Sequence, residues 1–196
     1  MAVNEERTAN GHVLAAHNED WIPEDEGDVF IISAKPDKEP PFLAMTYGGL
    51  LPNVGFNAYG IAQLIDSVYP SDSRIGIPRL VVARAVLASQ RISGAIGRTL
   101  VSHRAAGYNH LLLHESGEIY SIEVSARKFE ILYANNGYMV HTNHYIDPQM
   151  KQIEKDPEEL LSSRVRYFRA SRLMHQKEKH SLESLQNIQR DHVNIP

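Results

Sequence analysis

Short apolar runs, broken every few residues by glycine, proline, asparagine or serine, constrain this chain most. Residues 11–17 follow an Asn10-Gly11 turn signal and suit a strand. Residues 29–34 and 42–47 flank the proline-rich turn 35–41. Residues 54–57 and 61–66 flank a turn ending at Gly60. A helical middle follows: Pro78 suits a first helical turn and leads into apolar residues 80–88, and Ser93 reads as the N-cap of 94–101. Runs 109–114, 119–124, 129–133 and 138–141 are again strand-like. The remainder is helical. Asp156, Pro157 and Glu159 form a start signal, with Leu160, Leu161, Val165, Phe168, Leu173 and Met174 as an apolar stripe. Ser181 caps a shorter helix through Ile188. Tight turns between most strands argue against a doubly wound parallel sheet and predict a layered α+β fold with mostly antiparallel sheets.

No internal repeat or low-complexity linker divides the 196 residues, so they read as one domain. The net charge of −4, with no basic stripe, argues against nucleic acid as a partner. The one dense basic stretch, Arg164 to Arg169, reads as the solvated face of a helix. With no cysteine, disulfides and thiolate metal sites are excluded. The N-terminus lacks the apolar core of a signal peptide, and no run reaches the roughly 18 apolar residues of a membrane span. A soluble cytoplasmic chain is the expectation; the oligomeric state is left open.

Two polar clusters sit at the ends of apolar runs: His17-Asn18-Glu19-Asp20-Trp21 and His141-Thr142-Asn143-His144. The first resembles the glutamine-asparagine-x-aspartate-tryptophan motif of the acyl-coenzyme A:6-aminopenicillanic-acid acyltransferase family. Gly55-Phe56-Asn57-Ala58-Tyr59-Gly60-Ile61 resembles its glycine-x-asparagine-x-x-glycine-leucine signature. Gly76 to Arg79, with Arg84 to Leu87, resembles the opening of its first long helix, and Tyr108 to Ser125 its next strand pair. His141 to His144 is similar to its oxyanion segment. The set is ordered and spans essentially the whole chain.

The resemblance implies a four-layer αββα sandwich of the N-terminal nucleophile hydrolase type. It implies an N-terminal cysteine, freed by self-cleavage, that attacks an amide, thioester or related acyl carbon with its own α-amine as base. That amine has a reference pKa of about 7.7–8.0, close enough to neutrality to accept a proton. The partners implied are a small-molecule acyl donor, acyl-coenzyme A among the candidates, and an amine or water acceptor; no cofactor is implied. Two departures stand out. The family's nucleophile is expected a few residues before Met1, and the chain holds no cysteine. Residues 190–196 resemble a segment that in the family carries a basic site residue and runs on into further strands. The expectation is a reading frame shortened at both ends, inactive as it stands, with a fold incomplete at the C-terminus. A natural pseudoenzyme that binds acyl groups or amides is the alternative.

On this reading Asp20 holds and orients the amine, and Asn143 donates its side-chain N–H to the oxyanion. His17, Trp21, Asp66 and His144 are candidate substrate contacts, Trp21 chiefly as a packed anchor. Asp66 replaces the family's usual asparagine; an ionised carboxylate donates no hydrogen bond, so its alternative is a strand-end acid satisfied by Ser67 or Arg74. Glu123 reads as structural, near Arg127. Tyr47, Tyr59 and Tyr69 are core or pocket-lining. A competing metal site would use His110 with His114, or His141 with His144, although neither spacing is a known ligand signature. No Gly-x-Ser-x-Gly elbow or glycine-rich phosphate loop occurs.

Overall fold

A computed structural model describes residues 1–193. The last part of the expected C-terminal motif therefore lies outside the described residues. Strands β3 (Val29–Ala34), β4 (Phe42–Tyr47), β5 (Val54–Asn57), β6 (Ile61–Asp66), β7 (Tyr108–His114), β8 (Ile119–Val124) and β9 (Phe129–Tyr133) form one antiparallel sheet in chain order. A second sheet holds three two-residue strands in the order β10 (Tyr138–Met139), β1 (Ala2–Val3), β2 (Leu14–Ala15). Helices α1 (Arg79–Leu87) and α2 (Ile92–Thr99) fill the β6–β7 connection. The short α3 (Pro148–Lys151) precedes α4 (Leu161–Gln176) and α5 (Leu182–Gln189).

Strand alternation sorts the layers. On β6 the Gln63 amide donates to Ala83 O of α1 at 3.0 Å, so odd residues of β6 face α1 and α2. Even residues face the other way: Ala62 lies beside Ala15 of β2 and the preceding Val13, which also pack with Ala2 and Met139 in the main core. The outer face of the small sheet contributes Val3, Leu14 and Val140 to a cluster with Met174 of α4 and Leu185 of α5. The order is α1/α2, large sheet, small sheet, α4/α5: the expected αββα sandwich.

The glycine-x-asparagine-x-x-glycine signature has a physical explanation. Asn57 Nδ2 donates to Leu87 O (3.0 Å) and Ser89 O (2.7 Å), satisfying the carbonyl end of α1. Its Oδ1 accepts from Tyr59 N and Ile61 N, closing the β5–β6 turn. A Cβ at Gly55 would collide with the β4 backbone at Leu43 and Ala44. Gly60 adopts φ +72°, the left-handed region that a side chain disfavours.

Several boundaries differ from expectation. The strand expected over 11–17 narrows to Leu14–Ala15, and β1 was not anticipated, because two residues carry no periodicity. α1 begins at Arg79 with Pro78 as its cap, and α2 begins at Ile92 after Arg91, ahead of Ser93. Asp156 does not cap: it is left-handed (φ 47°), its side chain pairs with Lys155, and a 3-10 turn Pro157–Leu160 precedes α4. The buried stripe of α4 is Ser163, Tyr167, Ala170 and Met174, while Leu161 and Phe168 face solvent. Ser181 caps α5 with a reciprocal box through Ser184.

The small sheet covers only part of the large one. On the β3–β5 wing, Ile31 (69% exposed), Leu43 and Phe56 (54%) point from the inner face without a covering layer. No described helix is long and apolar enough to cross a membrane.

Candidate active site

Antiparallel pairing brings one set of strand ends together: the starts of β1 and β7 with the ends of β2, β4, β6 and β10. A cavity of about 700 Å³ opens there, roofed by Arg79 and Leu80 of α1, by Arg166 and Arg169 of α4 and by the end of α5. Met1 reaches it as the residue preceding β1, and its buried amine donates to Ala16 O at 2.9 Å. Met1 is thus one of the residues that line the cavity.

Beneath the cavity runs a buried polar row on the inner face of the large sheet. Asp66, Asn109 and Glu123 are cross-strand neighbours on β6, β7 and β8. Asn109 Nδ2 donates to Asp66 Oδ2 (2.9 Å), and Ser121 Oγ donates to Asn109 Oδ1 (2.7 Å). His141, just after β10, drops onto this row. Its Nε2 donates to Glu123 Oε1 at 2.8 Å. Its Nδ1 lies 3.3 Å from Asp66 Oδ2, an ion-pair distance without hydrogen-bond alignment. Glu123 also accepts from Ile146 N (2.5 Å) and Asp147 N (3.1 Å), so its burial is compensated on both oxygens.

These neighbours set the charges. Burial works to lower the His141 pKa, but the two flanking carboxylates outweigh it and hold the imidazole up at about 9. Burial works to raise Asp66; His141, the N-terminal amine and His17 bring it down to about 2. The Met1 amine is lowered from 8.0 by burial, against an upward pull from Asp66. At neutral pH an imidazolium thus lies between two carboxylates, with the amine nearby.

Asp20 and Asn143 line the same cavity, as do His17, Trp21 and Asp66. Asp20 is exposed at the rim. Trp21 is 58% exposed and is no packed anchor: the Ile22 turn and the 3-10 segment Pro23–Asp28 leave it on the surface. His17 Nε2 pairs with Glu19 at 2.8 Å. Asp66 accepts from Asn109 and pairs with His141, while Arg74 is turned toward Arg104 O and Ala126 O. Glu123 pairs with His141 and not with Arg127. His144 does not reach the cavity. It is buried with Nδ1 beside Thr142 Oγ1 (3.1 Å) and Ser163 Oγ (2.9 Å), and burial, with the charge of His141, lowers its pKa to about 4. Tyr47 and Tyr69 line the cavity, whereas Tyr59 lies in the exposed β5–β6 turn.

The basic stretch on α4 is not merely a solvated face. Arg166 Nη2 donates to Asn143 Oδ1 at 3.0 Å, and Arg169 pairs with Asp191 at 2.7 Å; both line the cavity. Their i, i+3 spacing put them on one face, but nothing in the sequence showed what that face meets. Arg79, stacked over the Tyr108 ring at 4.6 Å, was missed likewise. Neither histidine pair of the metal alternative gathers a third ligand among the described residues. His110 is held by Gln63 (3.0 Å) on the helix-covered face and His114 by Ser116 (2.6 Å) at the far end of β7. Among the described residues no cluster of three His, Asp or Glu side chains is arranged to hold a metal ion.

Solved structures share this architecture at low sequence identity. A Caenorhabditis elegans ortholog of N-acylethanolamine-hydrolyzing acid amidase superposes with a TM-score of 0.71 at 13% identity, over 100% of this chain and 85% of that one. Penicillin V acylase from Agrobacterium tumefaciens gives 0.63 at 19%, over 96% and 70%. A variant of conjugated bile acid hydrolase from Clostridium perfringens gives 0.67 at 14%, over 95% and 77%. These likenesses place the fold among the N-terminal nucleophile hydrolases. The model of the acyl-coenzyme A:6-aminopenicillanic acid acyl-transferase family matches residues 6–195, almost the full length, and the chain belongs to that family.

Proposed function

We propose that this fold serves acyl transfer from, or hydrolysis of, small amides and thioesters, with position 1 as the seat of the nucleophile. The observation that carries this is the convergence of the position-1 amine, Asp66, Asn143 and Asp20 on one cavity. A thiol at position 1 would pass its proton to its own α-amine, and the sulfur would form a bond to the acyl carbon. The burial that lowers the amine pKa favours the unprotonated form a base requires. Asn143 would stabilise the oxyanion with its amide N–H. As the C–N or C–S bond breaks, the amine would return the proton to the leaving group. Water or an amine acceptor would then release the acyl group from the thioester. Acyl-coenzyme A is one donor of this class, and the amides named for the structural relatives are another.

The chain of 196 residues carries methionine at position 1 and no cysteine. A thioether has no proton to give and forms no anion, so the 196 residues as given are expected to transfer no acyl group. The test is a Met1→Cys chain, released from a cleavable tag so that position 1 bears the free amine. It is assayed on a chromogenic phenylacetyl amide and an acyl thioester, with intact mass to detect the acyl adduct. Turnover with an adduct in the variant, and neither in the parent, is expected. A folded Met1→Cys chain that forms no adduct, or a parent chain that turns over, would sink the proposal.

A further inference from the structure

Resting on that reading, we propose that His141, anchored by Glu123, is a positioning residue that acts through Asp66 on the N-terminal amine. The argument starts from which oxygens are occupied. Asn109 Nδ2 and His141 Nδ1 both approach Asp66 Oδ2. Oδ1 has no donor among the described residues, and Asp66 lines the same cavity as Met1, whose amine donates to Ala16 O. An Asp held by Asn109 alone could pivot about that one bond; the ion pair at 3.3 Å with a ring itself fixed at Nε2 restrains it. His141 lines the cavity, but its side chain is fully buried against Asp66 and Glu123, which suits a positioning role better than substrate contact.

Charge makes the arrangement selective. Asp66 from β6 and Glu123 from β8 face His141 from below; His144 follows it in the chain, neutral through burial; His17 faces Asp66 from the segment after β2. Glu123 accepts two backbone N–H bonds, from Ile146 and Asp147. The imidazolium then keeps Asp66 ionised, and Asp66 in turn is the counter-charge that works against the desolvation of the amine. Removing His141 leaves two carboxylates on one buried row with no cation between them. Asp66, nearest to solvent, is the one that shifts or takes up a proton, and the amine registers it.

The amine can be read directly on the unmodified chain, released with Met1 as its first residue. Trace acetylation with acetic anhydride across pH, scored on the N-terminal peptide by mass spectrometry, gives the amine midpoint. His141→Gln and Glu123→Gln are each expected to move it by about 0.5 pH or more, a roughly threefold change in proton affinity. In an Asp66→Asn background His141→Gln should add no further movement, because the effect runs through Asp66. No movement with His141→Gln, or the same movement in both backgrounds, would overturn the proposal. Should the substitutions unfold the chain, the unsubstituted protein still decides. His141 ring resonances are expected to show a proton retained beyond pH 8, and an ordinary midpoint near 6.5 would refute the arrangement. None of these readouts needs turnover, so this inference can fail while a Met1→Cys chain transfers acyl groups, and the reverse.

Discussion

Arg166 fixes the Asn143 amide by holding its oxygen, which turns the nitrogen toward Ser67 O (3.3 Å) and the cavity. One N–H is thereby engaged and the other left to a substrate oxygen, a donor oriented before substrate arrives. Asn143→Ala in the Met1→Cys chain is expected to lower kcat by about 10²–10³-fold with a smaller change in KM, read from steady-state kinetics. His141 predicts a pH signature. Its folded pKa of about 9 lies above the ordinary 6.5, so the stability it contributes is complete below about 6.5 and is lost as pH rises through about 9. Asp66, depressed to about 2 from 3.8, contributes above 3.8 and loses that contribution as pH falls through about 2. His141→Gln breaks a buried ion pair and should cost on the order of 3–5 kcal/mol near neutrality. Urea midpoints measured from pH 5 to 10 should show that gap at its widest below pH 6.5 and narrowing toward pH 9. A gap that does not change with pH would contradict the charged imidazole.

At the level of elements, motifs whose residues serve local needs were legible. Asn57, Gly55 and Gly60 satisfy a helix end, a close strand approach and a turn within a few residues of one another, so their spacing carries the information. Ser181 is similar: its hydroxyl accepts from Ser184 N, and Ser184 returns the bond. Ser181→Ala should lower stability by about 1 kcal/mol, seen as a lower urea midpoint with an unchanged denaturant slope, because α5 loses its cap but keeps Leu185 in the core. Features that depend on a distant partner were not legible. Arg166 and Arg169 read as a solvated face until α4 was set over the cavity. Glu123 was read beside nearby Arg127, because its actual partner, His141, arrives from the other sheet. Asp156 carried a sound start signal, but its left-handed backbone turned the side chain away.

For the molecule as a whole, the order of strands and helices was enough for a layered fold with antiparallel sheets, because each tight turn forces an antiparallel neighbour; the four layers came only from the family resemblance. The sizes of the two sheets were not legible, since β1 and β10 are too short to leave a pattern. That small sheet has a consequence in time. β3 to β6 and β7 to β9 zip up between chain neighbours, whereas β1 must find β10 across most of the chain, Ala2 opposite Met139. Closing so long a loop has an entropic cost that only native packing offsets, and such contacts form late. Met1 and His141 flank that pairing. Pulsed hydrogen exchange during refolding should therefore protect amides of β6 to β8 before those of Ala2, Val3 and Met139; simultaneous protection would show otherwise. The chain builds its floor first, and its chemistry becomes possible only when the two most distant segments meet.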